Sequence, residues 1–153
     1  MATEKFWVNF KPQVISHVVT KILLLEAWLL IKPFLTNLNP LRVLNKTKNR
    51  IIADKASLAG SFFSRARGLL GQKSINSTQA LIITRCNSIH MFFMQFPIDA
   101  IFVNQEGIVV GLVENIKPNR MSKIFWKASY VVELKAGAIR ETGTQINDEI
   151  VLD

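Results

Sequence analysis

Cys86 and His90 are the residues of this chain whose types and spacing most readily suggest chemistry. A cysteine attacks as its thiolate, which a nearby imidazole can generate at neutral pH. In an extended "CNSIH" segment the two side chains would lie roughly 13 Å apart, and only a tight turn at Asn87 and Ser88 would bring them within hydrogen-bonding distance. The spacing therefore favours a structural cysteine over a catalytic Cys/His pair.

His90 also opens an apolar stretch, "HMFFMQF", which we predict to be a central strand. Alternate residues of a strand face the same side, so His90, Phe92 and Met94 would share one face. A strand that is apolar on both faces fits between a core and a covering element or pocket. His90 is thus predicted to be a core histidine bonded to backbone or to a carboxylate, with a ligand-facing position as the alternative.

Asp99 follows a bend at Pro97 and begins the next predicted strand. A buried carboxylate needs a partner, and Arg67 is the preferred one because a guanidinium can bind a carboxylate at two points. A structural Arg67 and Asp99 pair and a polar clamp on a substrate both remain open, and both predict low exposure. The candidate cluster, ligand-facing or buried, is Arg67, Cys86, His90, Met94 and Asp99.

Several classes of site are missing from the sequence. It contains no phosphate-binding loop, paired catalytic carboxylates, nucleophile elbow or histidine-rich metal motif. Cys86 is the only cysteine, and His17 and His90 are the only histidines, which excludes an internal disulfide and a structural zinc site of Cys/His type. Glu133 is predicted to be the outward polar residue of its strand. We therefore assign no catalytic residue, metal or cofactor, and expect a reducing, cytoplasmic environment.

From about residue 42 onward, short runs of branched apolar residues alternate with turn residues. We predict strands at "LRVLN", "RIIAD", "ALIITR", "SIHMFFMQF", "IDAIFVN", "IVVGLVEN", "SYVVELK" and "DEIVLD", with "NQEG" as a four-residue hairpin loop. Two short helices are predicted at "SFFSRARGLLG" and "AGAIRETG", each closed by a glycine. Closely spaced strands with little room for crossover helices predict a mainly β domain over residues 42–153, a single antiparallel sandwich or small barrel.

Residues 1–41 are predicted to be a separate helical appendage and linker. An apolar helix over residues 14–31 ends before Pro33. It would be about 27 Å long, slightly shorter than a ~30 Å hydrocarbon core, and its Lys21 and Glu26 oppose a clean membrane span. We expect residues 13–35 to bind a membrane surface or a protein partner, with a true membrane anchor as the alternative.

The excess of positive charge lies mainly in the N-terminal part of the chain. The formal net charge is +8; residues 1–60 carry nine Lys and Arg against three Asp and Glu, and residues 61–153 carry ten against eight. The C-terminal domain therefore need not bind nucleic acid, and no specific nucleic-acid partner is predicted.

Several motifs occur in series in the C-terminal domain: "SRARGLLGQ", "RCNSIHMFFMQFPIDAIFVNQEGIVVGLVENIKPNR", "VVELKAG" and "TGTQINDEI". In order and spacing they resemble the domain of unknown function 192 family, a group of small prokaryotic β-rich domains, over about residues 42–153. The resemblance implies a compact β fold without a settled activity. It places the motif positions at Arg67, Gly68, Leu69, Cys86, His90, Phe92, Met94, Pro97, Asp99, Glu133 and Gly137.

The scarcity of reactive polar residues favours a non-enzymatic binding or accessory module. The alternative is an enzyme, a hydrolase or carbohydrate-acting protein, with a shallow pocket around Arg67, Cys86, His90 and Asp99. An enzyme needs at least two of these side chains to meet at one accessible cavity, whereas a binding module needs an exposed apolar or grooved surface.

Overall fold

A computed structural model describes residues 41–59, 69 and 73–153 of the chain. The predicted N-terminal helix and nearly all of the predicted helix in "SFFSRARGLLG" lie outside these residues, as does Arg67. Leu69 is described and is buried.

The described residues form seven strands and one short helix. The strands are β1 (Leu41–Asn45), β2 (Arg50–Ala59), β3 (Gln79–Thr84), β4 (Ile98–Val103), β5 (Val109–Ile116), β6 (Tyr130–Lys135) and β7 (Ile150–Leu152), and the helix is α1 (Ala138–Thr142). Seven of the eight predicted strands are therefore confirmed, and β2 is longer than the five residues predicted for it. The mainly β class is confirmed.

All seven strands belong to one sheet, in the order β5-β4-β6-β3-β2-β1-β7. The sheet curls into a half-barrel, and its two edges approach each other where Ile108 and Glu149 form an antiparallel bridge. The Ile150 N–H donates to the Gly107 carbonyl at 2.7 Å, and the Val109 N–H donates to the Asp148 carbonyl at 2.9 Å. These bonds occupy backbone groups that an open sheet edge would leave unpaired.

The expectation of a wholly antiparallel sheet is wrong for one pair of strands, because β2 and β3 run parallel. Parallel neighbours need a long crossover connection rather than a hairpin. Residues 60–78, which include the predicted helical segment "SFFSRARGLLG", supply that connection. This segment was predicted only to interrupt an antiparallel sheet, so its role as the crossover between parallel strands was not foreseen.

The predicted strand "SIHMFFMQF" is also wrong, because residues 85–97 form a loop with a single bridge, between His90 and Met121. The chain turns at Met91, whose carbonyl accepts from the Met94 N–H at 3.3 Å. Phe93 has a φ of 63°, a left-handed conformation that interrupts any strand. The alternating faces predicted for this segment therefore do not exist.

The hairpin and the second predicted helix are confirmed. Gly107 ends the "NQEG" loop with a φ of 81°, and the Asn104 side chain accepts from the Ile108 N–H at 2.8 Å. Gly143 has a φ of 66° and caps the end of α1, as the glycine at that position predicted.

The sheet carries a hydrophobic core on each face. The first core lies on the side of α1, and its buried members are Val43, Ile52, Ala53, Ala80, Ile82, Ile101, Val103, Val109, Val132, Leu134, Ala138, Ile139 and Ile150. The second core lies on the opposite side, and its buried members are Ala59, Leu69, Ile75, Ile83, Ile89, Met91, Ile98, Ala100, Phe102, Ile116, Phe125 and Val131. The central strands are consequently apolar at nearly every position, as in sheets covered on both faces.

A buried polar network ties β1 to the turn before β7. The Asn45 amide donates to the Asp148 carboxylate at 2.8 Å and to the Thr144 hydroxyl at 3.2 Å. The same carboxylate accepts from the Gln145 N–H at 2.8 Å, and the Asn45 side-chain oxygen accepts from the Lys48 N–H at 3.0 Å. Because its buried polar groups satisfy one another, we assign this network to the fold rather than to a site.

Candidate binding surface

Asp99 is fully buried at the start of β4, and its carboxylate binds backbone N–H groups. One oxygen accepts from the Asn115 N–H at 2.8 Å; the other accepts from the Gly137 N–H at 3.0 Å and the Ile139 N–H at 2.9 Å. The first N–H groups of a helix have no acceptor within the helix. Here the Asp99 carboxylate, on the neighbouring strand β4, is the acceptor for two N–H groups at the start of α1. Gly137 permits this approach by adopting a φ of 97°.

The predicted partner of Asp99, Arg67, lies outside the described residues, so an Arg67 and Asp99 pair stays a prediction. The low exposure expected for Asp99 is observed. The three N–H groups that bind its carboxylate were not foreseen, because all of them belong to segments distant in sequence.

Cys86 packs against the second core, and its thiol donates to the Ser88 carbonyl at 3.0 Å. Its own N–H donates to the Ser129 carbonyl at 3.4 Å. The thiol thus contacts backbone at the start of the loop over residues 85–97. These contacts suit a structural cysteine, the reading favoured by the sequence.

His90 is exposed, so the expectation of a core histidine is wrong. Its ring stacks on Phe92 at a centroid distance of 5.3 Å. Because the segment is a loop rather than a strand, the neighbouring residues Ile89 and Met91 are buried instead.

The structure places the described members of the candidate cluster on different sides of the sheet. Asp99 faces the first core, where it contacts α1, whereas Cys86 and Met94 pack against the second core. His90 lies on the surface of a loop. The sheet therefore separates the Asp99 carboxylate from Cys86 and Met94.

Glu133 is buried on β6, with 6% of its surface exposed, so its predicted outward position is wrong. Its partners in the neighbouring strands are Leu81 and Ala100, on the face of the second core. In the part of the chain that the structure describes, no hydrogen bond or ion pair reaches its carboxyl group. Burial raises the pKa of Glu133 to about 7, because desolvation disfavours the charged form.

The raised pKa of Glu133 predicts a specific pH dependence of stability. Between its ordinary pKa of 4.5 and about 7, the folded state retains a proton that the unfolded state releases. The free energy of unfolding should therefore decrease as pH rises through this window, by up to about 3 kcal/mol. We expect Glu133→Gln to be more stable than the parent at pH 8 and similar to it near pH 4.5, as measured by urea denaturation.

The matched control is Glu106→Gln, at an exposed position in the β4–β5 hairpin loop. The free energy of unfolding of this variant should stay within about 0.5 kcal/mol of that of the parent at both pH values. A stability difference for Glu133→Gln that is the same at pH 4.5 and pH 8 would contradict the raised pKa.

Residues 85–97 and 117–129 form two loops that are hydrogen-bonded to each other, and we call them the paired loops. The Met91 N–H donates to the Arg120 carbonyl at 2.7 Å, and the Asn119 N–H donates to the Met91 carbonyl at 2.8 Å. The Ser122 N–H donates to the Ile89 carbonyl at 2.9 Å. Because backbone bonds join the two segments at several points, they present one continuous surface.

Buried side chains anchor each of the paired loops. Ile89 and Met91 anchor the first loop in the second core. Phe125 anchors the second loop, and its ring stacks on Phe102 at a centroid distance of 4.3 Å. Gly111 makes room for this ring, since a Cβ atom at that position would overlap it.

Near these anchors, the paired loops expose other apolar side chains to solvent. Phe93 and Trp126 are 84% and 80% exposed, and the other exposed large apolar residues of the paired loops are Phe92, Met121 and Ile124. Isolated exposed apolar residues are common on proteins, but a group of them on two joined loops is a feature of interaction sites.

Phe93 combines high exposure with backbone strain. A φ of 63° is unfavourable for an aromatic residue, at a cost of roughly 1–2 kcal/mol. The turn that begins at Met91 maintains this conformation while the Phe93 ring contributes little to the core. Strain maintained at an exposed aromatic residue points to a function for that side chain.

Sequence reasoning missed the paired loops because it assigned "HMFFMQF" to a buried strand. A usable signal was nevertheless present. The segments "RCNSIHMFFMQFP" and "KPNRMSKIFWKAS" both combine aromatic residues with Lys or Arg and contain no Asp or Glu. The combination of aromatic and cationic residues is not needed in a core strand, but it is typical of contact surfaces.

The described residues form a small, mainly β domain in which a curled sheet supports the paired loops and their exposed aromatic residues. This chain belongs to the DUF192 family, described as "Uncharacterized ACR", whose model matches residues 43–152. The resemblance found in the sequence motifs is thereby confirmed.

The relatives of this chain include archaeal proteins of the UPF0127 family. A UPF0127 protein of Thermococcus sibiricus is 37% identical over 112 residues, which cover 71% of this chain and 72% of the relative. A UPF0127 protein of Pyrococcus horikoshii is 32% identical over 111 residues, which cover 71% of this chain and 96% of the relative.

Two solved structures share the fold. A protein of unknown function from Novosphingobium aromaticivorans has a TM-score of 0.65 at 19% identity, with 73% of this chain and 83% of that chain covered. A protein from Sinorhizobium meliloti, described as a candidate transcription regulator, has a TM-score of 0.62 at 21% identity, with 73% and 91% covered. At such identities the likeness establishes the fold alone.

Within residues 41–59, 69 and 73–153, no helix has the length and apolar character needed to cross a membrane. The predicted apolar helix over residues 14–31 lies outside these ranges.

Proposed function

We propose that this domain is a non-enzymatic binding or accessory module and that the paired loops are its contact surface. The observation that carries the proposal is the outward position of Phe93 and Trp126 on two loops that the core holds in place. Aromatic side chains provide a large contact area at a small cost in conformational entropy, which suits them to binding surfaces.

The arrangement of the polar residues supports the same proposal. The Asp99 carboxylate accepts a hydrogen bond from the Ile139 N–H in α1, and the Cys86 thiol donates one to the Ser88 carbonyl. Contacts with backbone groups on opposite faces of the sheet support structural roles for these two side chains. The attachment of residues 13–35 to a membrane surface or a protein partner is a separate prediction.

The proposal predicts that the paired loops account for much of the apolar surface accessible to a probe. In the full-length protein, we expect the variant Phe93→Ser/Trp126→Ser to reduce the fluorescence enhancement of the hydrophobic dye bis-ANS by roughly twofold or more. Thermal unfolding should change little, because both side chains are exposed.

The matched control is Ile51→Ser/Leu58→Ser, which removes two exposed apolar side chains from β2. This control should retain most of the dye signal. If the control loses as much signal as the loop variant, or if the loop variant loses none, the paired loops are not a distinct apolar binding surface.

A further inference from the structure

We propose that the partner of the paired loops is an anionic lipid membrane surface. This inference rests on the proposed function, because it names the chemistry that the contact surface would recognise. It concerns the β domain itself and is independent of any membrane attachment through residues 13–35.

The distribution of charge is the first argument. The paired loops carry Arg85, Lys117, Arg120, Lys123 and Lys127 and no carboxylate. The other described residues carry eight Lys and Arg against nine Asp and Glu. The net positive charge of the described domain therefore lies on the loops that also expose the aromatic residues, and a surface of this sign attracts anionic head groups.

The composition of the exposed apolar group is the second argument. Trp and Phe favour the boundary between head groups and acyl chains, where amphipathic surfaces insert their apolar side chains. Trp126 and Ile124 project from the second loop, and Lys127 directly follows Trp126 in the chain. Long cationic side chains can extend to the head groups while adjacent apolar residues enter the boundary.

Single-stranded nucleic acid is the main competing partner, since it also binds basic surfaces that carry aromatic residues. Bases bind such surfaces by stacking on ring faces, but one face of the Phe92 ring is already occupied by His90. The exposed side chains also include Met121 and Ile124, which provide no ring for a base but can enter an acyl boundary. The mixture of aliphatic and aromatic residues favours lipid.

Trp126 provides a direct spectroscopic test. In the full-length variant Trp7→Phe/Trp28→Phe, Trp126 is the only tryptophan. We expect its emission to shift to shorter wavelength when vesicles that contain phosphatidylglycerol are added, and to stay unchanged with pure phosphatidylcholine vesicles. The shift should decrease as the salt concentration rises, because the attraction to head groups is screened.

Charge variants in the same background test the contribution of the loops. Arg120→Gln/Lys127→Gln should weaken binding to the anionic vesicles by about tenfold or more. The control Lys55→Gln/Lys73→Gln removes the same charge from exposed positions outside the paired loops and should bind nearly as well as the parent. An equal loss in both variants would show attraction through overall charge and would overturn the proposal.

Two further outcomes would overturn the choice of lipid. The first is sedimentation of the protein with vesicles while Trp126 emission stays unchanged, which would place the contact outside the paired loops. The second is a shift produced by a single-stranded oligonucleotide but not by anionic vesicles. The bis-ANS comparison separates these outcomes from failure of the proposed function, because it reports the apolar surface without reference to lipid.

Discussion

Replacement of Asp99 by alanine is expected to lower the free energy of unfolding by about 3 kcal/mol or more. The carboxylate accepts N–H groups from three residues, and all three would lose their acceptor. Two of these N–H groups belong to the start of α1, so the helix should lose its alignment with the sheet. Thermal denaturation should show a decrease in Tm of roughly 10 °C or more.

Two further variants serve as comparisons for the stability of Asp99→Ala. Asp99→Asn keeps one oxygen acceptor but presents an NH2 group to the remaining N–H groups, so we expect a substantial loss of stability as well. His90→Ala, at an exposed position of the same candidate cluster, should change the free energy of unfolding by about 0.5 kcal/mol or less. An Asp99→Ala variant as stable as the parent would contradict the structural role and would favour the polar clamp.

Replacement of Phe125 by alanine is the second change with a large expected effect. The ring is buried against Phe102, and its removal should cost about 3–5 kcal/mol through lost contacts and a new cavity. Because Phe125 anchors the second loop, the bis-ANS response and the emission of Trp126 should change together with stability. In the Trp7→Phe/Trp28→Phe background, urea denaturation followed by Trp126 fluorescence measures stability and the environment of the second loop in one experiment.

Trp126→Ala provides the control for stability, since the neighbouring side chain is mostly exposed and should contribute about 0.5 kcal/mol or less. Phe125→Leu keeps an apolar anchor and should fall between the parent and the alanine variant. If Phe125→Ala lowered the free energy of unfolding by less than about 1 kcal/mol, the anchoring role of this ring would be contradicted.

The regular part of the fold could be predicted from local sequence patterns. The alternating or continuous apolar runs of β3, β4, β5 and β6 are strong signals, and each is bounded by turn residues. Gly107 and Gly143 stand where a hairpin and a helix end need a left-handed residue, so these boundaries were correctly placed.

The errors arose where long-range contacts decide the structure. "HMFFMQF" has the composition of a core strand, but its backbone groups bond to the loop over residues 117–129 instead of to a neighbouring strand. The same contacts make His90 exposed and Met91 buried. Local periodicity carries no information about a partner segment some thirty residues away.

The position of Glu133 shows a further limit of sequence reasoning. A lone carboxylate within an apolar strand is expected on the solvent side, and this holds when one face of the sheet is open. Here the crossover between the parallel strands β2 and β3 contributes Leu69 and Ile75 to the second core, on the face of Glu133. The parallel pairing could not be inferred from strand patterns, and so the burial of Glu133 was missed.

The central claim is that the paired loops present an open apolar surface in the free protein, and acrylamide quenching of Trp126 tests it most directly. In the full-length Trp7→Phe/Trp28→Phe protein, we expect quenching close to that of free tryptophan, because the indole is 80% exposed. Quenching as weak as that of a buried indole would show that the surface is already covered, and would contradict its role as a free contact surface.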